Sequence, residues 1–198
     1  MKKKLAILLC SIFVIGLVGC GSKNTDSQAP GGENVSVETI DVADATELLT
    51  NVWNSYDDAD KFPIGGGDYN NIVMDAPGKY DVSMVEDLDA VLGLPQSSAS
   101  MIDDAASIMH MMNANTFTAG AYHVSDAANQ QIVIDSLKDN IMNRQWMCGF
   151  PDTLIVARVG GEYVVSAFGN AEVIENFKNK LSETFSVTDI VYEESLTE

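Results

Sequence analysis

The densest run of soft ligands in this 198-residue chain is Met109-His110-Met111-Met112. Thioether and imidazole groups suit Cu(I). A distant thiol, Cys148, would complete such a site only if the fold carried it there. In a strand, Met109 and Met111 share one face and His110 and Met112 the other; in a helix, Met109 and Met112 share a face. Neither arrangement gathers Met109, His110, Met112 and Cys148 unaided, so packing by adaptable methionines is the expected use of the run. Hard-cation candidates are Asp57, Asp58 and Asp60, with Asp68 across a glycine loop, because carboxylate oxygens suit Ca²⁺. Phe62 and Pro63 interrupt the alternating spacing that a calcium loop needs, and solvated loop acids are the plainer reading. Gly65-Gly66-Gly67 lacks the following Gly-Lys-Ser/Thr of a phosphate cradle. It is expected to be a turn that admits positive φ or a close backbone approach.

Nucleophilic chemistry finds no frame. No serine sits in a Gly-x-Ser-x-Gly elbow. His110 and His123 are the only imidazoles, and neither has a partner in sequence that makes it a general base. Trp146-Met147-Cys148-Gly149 holds one thiol, and dithiol exchange needs two; a helix end with Gly149 as cap and Trp146 packed is expected. No catalytic residue and no cofactor are assigned, and the chain is read as non-enzymatic.

The first twenty residues carry an address. Lys2, Lys3 and Lys4 precede an apolar run from Leu5 to Val18. That run is short of the roughly 20 residues a spanning helix needs. A basic start, a short apolar stretch and small residues at its end form a signal peptide. Its end, Leu17-Val18-Gly19-Cys20, resembles the lipobox of bacterial lipoproteins. That resemblance implies removal of residues 1–19, fatty acylation of Cys20 and anchoring on the extracytoplasmic face of the cell membrane. One acyl chain binds marginally, whereas two or more hold firmly.

Composition narrows the partners. The net charge is −18. Three of eleven basic residues leave with the leader, so the processed chain carries 8 against 29 acids, or −21. Such a chain repels phosphate backbones and anionic headgroups, which argues against nucleic acid. Cys10 leaves with the leader and Cys20 is committed to lipid; the remaining Cys148 allows no intrachain disulfide. The core must be held by packing alone.

The region 20–37 is polar and rich in Gly, Pro and Ser, a tether rather than a core. A single α+β domain is expected over 38–198, with an acidic helical and loop part, 38–104, packed on or extending a sheet-forming part, 105–198. In the acidic part, Leu48, Leu49, Val52 and Trp53 predict a helix over Ala43–Tyr56, capped by Asp41 or Asp44. A loop covers 57–68, and a shorter helix spans Met84 to Leu92, stopped by Gly93 and Pro95. Beyond it, Thr116–Val124 reads as a strand. Ser125 is expected to cap a helix with Val133, Ile134, Leu137 and Ile141 inside, running to about Trp146. Strands Thr153–Val159 and Glu162–Phe168 flank a Gly160-Gly161 turn. Asn170 caps a helix with Ile174, Phe177 and Leu181 on its apolar stripe, and Val187–Tyr192 makes a last strand. The order β-α-β-β-α-β predicts a ferredoxin-like two-layer sandwich.

The stretches Asp103-Asp104-Ala105-Ala106-Ser107, Met109 through Phe117, and Arg144-Gln145-Trp146-Met147-Cys148-Gly149-Phe150-Pro151 resemble uncharacterised lipoproteins of anaerobic, Gram-positive gut bacteria. The resemblance implies a surface lipoprotein and brings no catalytic residue with it. The expectation is a membrane-anchored binding module for a protein or small ligand. The alternative is a lipoprotein that handles Cu(I) or Ca²⁺.

Overall fold

The computed structural model describes residues 38–112, 116–147 and 149–197. Residues 1–19, expected as a leader, the expected tether 20–37 with Cys20, and Cys148 lie outside them. The chain is mixed helix and antiparallel sheet, an α+β protein. Among the described residues no helix is long and apolar enough to cross a membrane.

The first helix, α1 (Ala45–Asn54), starts where a carboxylate accepts from its exposed amides. Asp44 accepts from Glu47 N, and Glu47 accepts in turn from Ala43 N at 2.6 Å. Ala45, Leu48, Leu49, Val52 and Trp53 form its buried stripe, the i, i+3, i+4, i+7, i+8 pattern of one helix face. Three short strands follow: β1 (Ile64–Gly66), β2 (Val73–Met74) and β3 (Gly78–Tyr80). A short helix, α2 (Val85–Asp87), widens into a π turn over Leu88–Leu92, which Gly93 ends in the left-handed region. The longest strand is β4 (Ile102–His110), and β5 (Phe117–Val124) returns beside it. Then come α3 (Gln130–Met142), β6 (Thr153–Val159), β7 (Tyr163–Gly169), α4 (Ala171–Thr184) and β8 (Thr188–Ser195).

All strands join one antiparallel sheet in the order β2-β1-β4-β5-β7-β6-β8, with β3 also on β4. The predicted β-α-β-β-α-β succession is present from Phe117 onward, but the ferredoxin-like two-layer packing is not. A ferredoxin-like sheet places its last strand beside its first. Here β4 occupies that place, through a hairpin with β5, and β8 lies beyond β6. Handedness then decides the layers. The β5-α3-β6 and β7-α4-β8 crossovers step the same way across the sheet, yet β5 and β7 run in opposite directions. Right-handed crossovers therefore send their helices to opposite faces. Accordingly, α3 packs with Tyr80, Leu92, Tyr122, Leu154 and Phe168 on one face. On the other, α1 and α4 lie over Ala106, Ala119, Ala121, Ala157 and Ala167. That alanine carpet lets the larger Leu48, Trp53, Phe177 and Leu181 fill the layer.

Other boundaries also move. Ser125 does not cap α3; its hydroxyl donates to Met101 O, while Asp126 accepts from Ala128 N. The helix stops at Met142, short of Trp146. The β6–β7 turn has three residues, Gly160 to Glu162, with Gly160 at φ 62°. The glycine stretch is only partly a turn: Gly65 and Gly66 belong to β1. The acidic part does both of the things expected of it: α1 packs on the sheet, and β1, β2 and β3 extend it.

Candidate functional site

Strand β4 has its outer edge covered twice. Its C-terminal end pairs with β1 (Gly65↔Met109) and its middle with β3 (Gly78↔Ser107). The handover needs two glycines in contact: a Cβ on Gly66 would sit 2.2 Å from Gly78 N. Gly67, at φ 86°, then turns the chain away. The sequence reading of a close backbone approach at these glycines corresponds to this crossing.

Just past the handover, two hollows open at one end of the sheet. The larger, about 350 Å³, is lined by Val91, Met109, His110, Met112, Arg144 and Trp146 among others. The smaller, about 220 Å³, is bounded by Gly65–Gly67, Tyr69, Ile72, Tyr80 and Met111, and shares Val91 and Met109 with the first. Around them the surface is apolar. Of nine large hydrophobic side chains exposed among the described residues, eight lie on three segments: Tyr69, Ile72, Val73 and Met74; Met111 and Met112; Met147 and Phe150. The ninth, Ile132, is on α3. Single exposed hydrophobics are ordinary, whereas a contiguous group marks an interaction surface.

The rim is positioned by specific contacts. His110 stacks flat on Phe62 (4.6 Å between centroids, 5° between planes), and its Nδ1 accepts from Met112 N at 2.9 Å. Partial burial lowers its pKa, which favours the neutral ring this bond requires. Arg144 donates to the carbonyls of Asp89 and Ala90, tying the π turn to the segment after α3. Its guanidinium lies over Trp146 at 5.2 Å, and Trp146 packs on Phe168. Tyr80 borders the smaller hollow; its hydroxyl is buried without a partner, and burial followed by the Asp87 charge pushes the phenol up.

Met109, His110 and Met112 thus border one cleft, but His110 has spent Nδ1 on Met112 N and turns its ring to Phe62. The acidic set is scattered. Asp68 is buried and accepts from the backbone N–H of Asn70 (2.8 Å), Asn71 (3.0 Å) and Asp81 (3.2 Å) and from the Asn71 side chain. Burial opposes its charge, but these donors outweigh that and hold its carboxyl below the usual range. Asp57, Asp58 and Asp60 are exposed, Asp58 against Lys61 and Asp57 against Lys180. Among the described residues no group of three or more His, Cys, Asp or Glu side chains converges on a metal position.

His123 lies at the far end of the sheet. Its Nδ1 is 2.5 Å from Asp103, which a bulge between Ile102 and Asp104 aims at it. Neither described histidine is hydrogen-bonded to a hydroxyl or thiol. Sequence reasoning missed Arg144 as a tie and Tyr69, Ile72 and Met74 as surface; only their setting in a glycine-flanked apolar stretch hinted at the latter. No protein-family model, no curated protein and no solved structure matches the chain.

Proposed function

We propose that this chain is a lipoprotein, cut before Cys20 and anchored through it on the extracytoplasmic membrane face, whose folded part is a non-enzymatic binding module. The basic leader and the Leu17-Val18-Gly19-Cys20 ending support the anchor. The observation that carries the binding reading is that four exposed apolar side chains, Tyr69, Ile72, Met111 and Met112, line two neighbouring hollows that share Val91 and Met109. Methionine suits such a surface because its unbranched, polarizable side chain adapts to varied contours.

Two measurements test the two parts. Cys20→Ala should move the protein from the membrane fraction to the medium, or leave an uncut precursor; unchanged attachment and processing would remove the anchor. A photo-crosslinking residue at Ile72 should form adducts in the producing cells where one at Ile132 does not. Equal labelling at both positions would defeat the binding-surface reading.

A second reading is soft-metal handling, favoured by Met109, His110 and Met112 bordering one cleft. It requires His110 to leave Met112 N or to bind through Nε2.

A further inference from the structure

The apolar surface has a definite place relative to the chain's entry. The described chain begins at Glu38, whose carbonyl accepts from Gly161 N at the β6–β7 turn. The hollows lie at the other end of those strands, where Thr153 pairs with Gly169 and Asn170 N donates to Thr116 O. Seven residues of β7 separate the ends, about 23 Å at strand rise. The surface therefore points away from the residue at which residues 20–37 join the domain.

Charge narrows the occupant. The acidic segment that builds the smaller hollow, 38–104, holds fifteen acids against Lys61 and Lys79. Asp75 follows Met74 directly and is exposed, and exposed Asp81 lines the neighbouring groove together with Tyr80 and Lys79. Of the cations bordering the hollows and this groove, Arg144 is engaged by two carbonyls and the Trp146 ring, and Lys79 pairs with Asp104 at 3.1 Å. A second copy would bring its own large negative charge against this one. Backbone geometry adds a preference: β2 ends the sheet, both its residues are exposed, and its outer edge is open to another extended chain.

Resting on the binding-surface reading above, we propose that the occupant is an extended, cationic, apolar-rich peptide segment of another protein. Its apolar side chains enter the hollows beside Met109 and Met111, and its lysines or arginines face the acids of the rim.

The test uses the whole processed chain, residues 20–198, with Cys20→Ser so that no lipid competes. It is titrated with three labelled ten-residue peptides, alternating Leu-Lys, Leu-Glu and Ser-Lys, and with vesicles of phosphatidylcholine and of phosphatidylglycerol. Leu-Lys should bind at least tenfold more tightly than either other peptide and weaken several-fold as salt rises. Met111→Lys and Tyr69→Lys should each lower that affinity at least tenfold, and Ile132→Lys should leave it unchanged. Both changed positions are exposed, and circular dichroism checks that each variant folds; the second variant stands in if the first does not. Preference for Leu-Glu, Leu-Lys binding indifferent to both variants, or vesicle uptake through the same surface in place of peptide would overturn the proposal. Failure here with Ile72 crosslinking intact would reject the cationic peptide alone; loss of both would reject the binding surface.

Discussion

The two ends of the sheet are built from opposite materials. At the end where the β6–β7 turn lies, side chains are tied down by hydrogen bonds. Gln130, buried at the start of α3, donates to the carbonyls of Gly160 and Tyr163 and accepts from Arg158 Nε at 2.8 Å. Arg158 also reaches Gln131 and Asp189. Asp103 holds His123, and Gly161 N reaches back to Glu38 O. At the other end, methionines, Tyr69, Ile72 and Phe150 face solvent around two hollows. Buried polar atoms cost free energy unless bonded, so the first end is closed by its own hydrogen bonds. Exposed apolar area gains nothing in the isolated fold and gains on contact with a partner. One end thus contributes to stability, and the other is left available for binding.

The largest effect should come from the backbone crossing on which the open end hangs. Gly66→Val drives a side chain into the Gly78 and Ser107 backbone and is expected to cost about 3 kcal/mol, read as a lower urea midpoint; an unchanged midpoint would refute the crossing. Next, Gln130→Ala leaves two carbonyls and the Arg158 Nε–H without partners. It should cost about 2 kcal/mol, while Met111→Ser at the open end should stay within about 0.5 kcal/mol. Equal losses would erase the contrast between the ends.

Asp68→Asn removes a charged acceptor from the loop that carries Tyr69 and Ile72, with an expected cost of about 1.5 kcal/mol. The pH dependence has a definite sign. Because the folded carboxyl is held below its ordinary value, its contribution is full above the ordinary range and is lost as pH falls through the folded value. The protection factors of the Asn70 and Asn71 amides should therefore fall below about pH 4, and in Asp68→Asn that fall should vanish.

A smaller effect concerns His110. Burial lowers its pKa, so the folded state favours the neutral ring, and its contribution is present above the ordinary imidazole range and lost on acidification. A proton on Nδ1 removes the acceptor for Met112 N. Protection of the Met112 amide should fall below about pH 6.5, and this step should be absent in His110→Gln. The smallest expected effect is that of metal: Cu(I), Zn²⁺ or Ca²⁺ at modest excess should move the melting temperature by less than about one degree. An ion at a hundredfold excess over its dissociation constant, bound to the folded state alone, adds about 2.7 kcal/mol and would be plain in the melt. A rise with Cu(I), abolished by Met112→Leu, would raise the soft-metal reading over the first.

Much of the fold was readable because periodicity reports burial. The Leu48-Leu49-Val52-Trp53 and Ile174-Phe177-Leu181 stripes, the Asp44 and Asn170 caps, and the strands Thr153–Val159 and Thr116–Val124 are local patterns with local causes. Strand β4 was not readable: Asp103, Asp104, the alanines and the methionines have weak strand preference, and only pairing with β5, β1 and β3 makes them extended. The candidate site was less legible still. Met109, His110 and Met112 stood out by type, but nothing in their spacing showed that the glycine crossing would bring Tyr69, Ile72 and Tyr80 beside them, or that Asp68 would be consumed by its own loop.

What the sequence alone determined is the set of interactions that act within one helix or one hairpin: the stripes, the Asp44 and Asn170 caps, the acidic balance and the β-α-β-β-α-β succession. What only the tertiary structure decided is the strand order, the split of α3 and α4 between opposite faces, and the meeting of residues 64–74, 109–112, 146–147 and 149–151 at one end of the sheet. The physical reason is range. Caps and stripes depend on neighbours a few residues away. The place of β8 depended on which distant strand had already taken the edge of β5, and once β4 held it, crossover handedness left a single arrangement of layers.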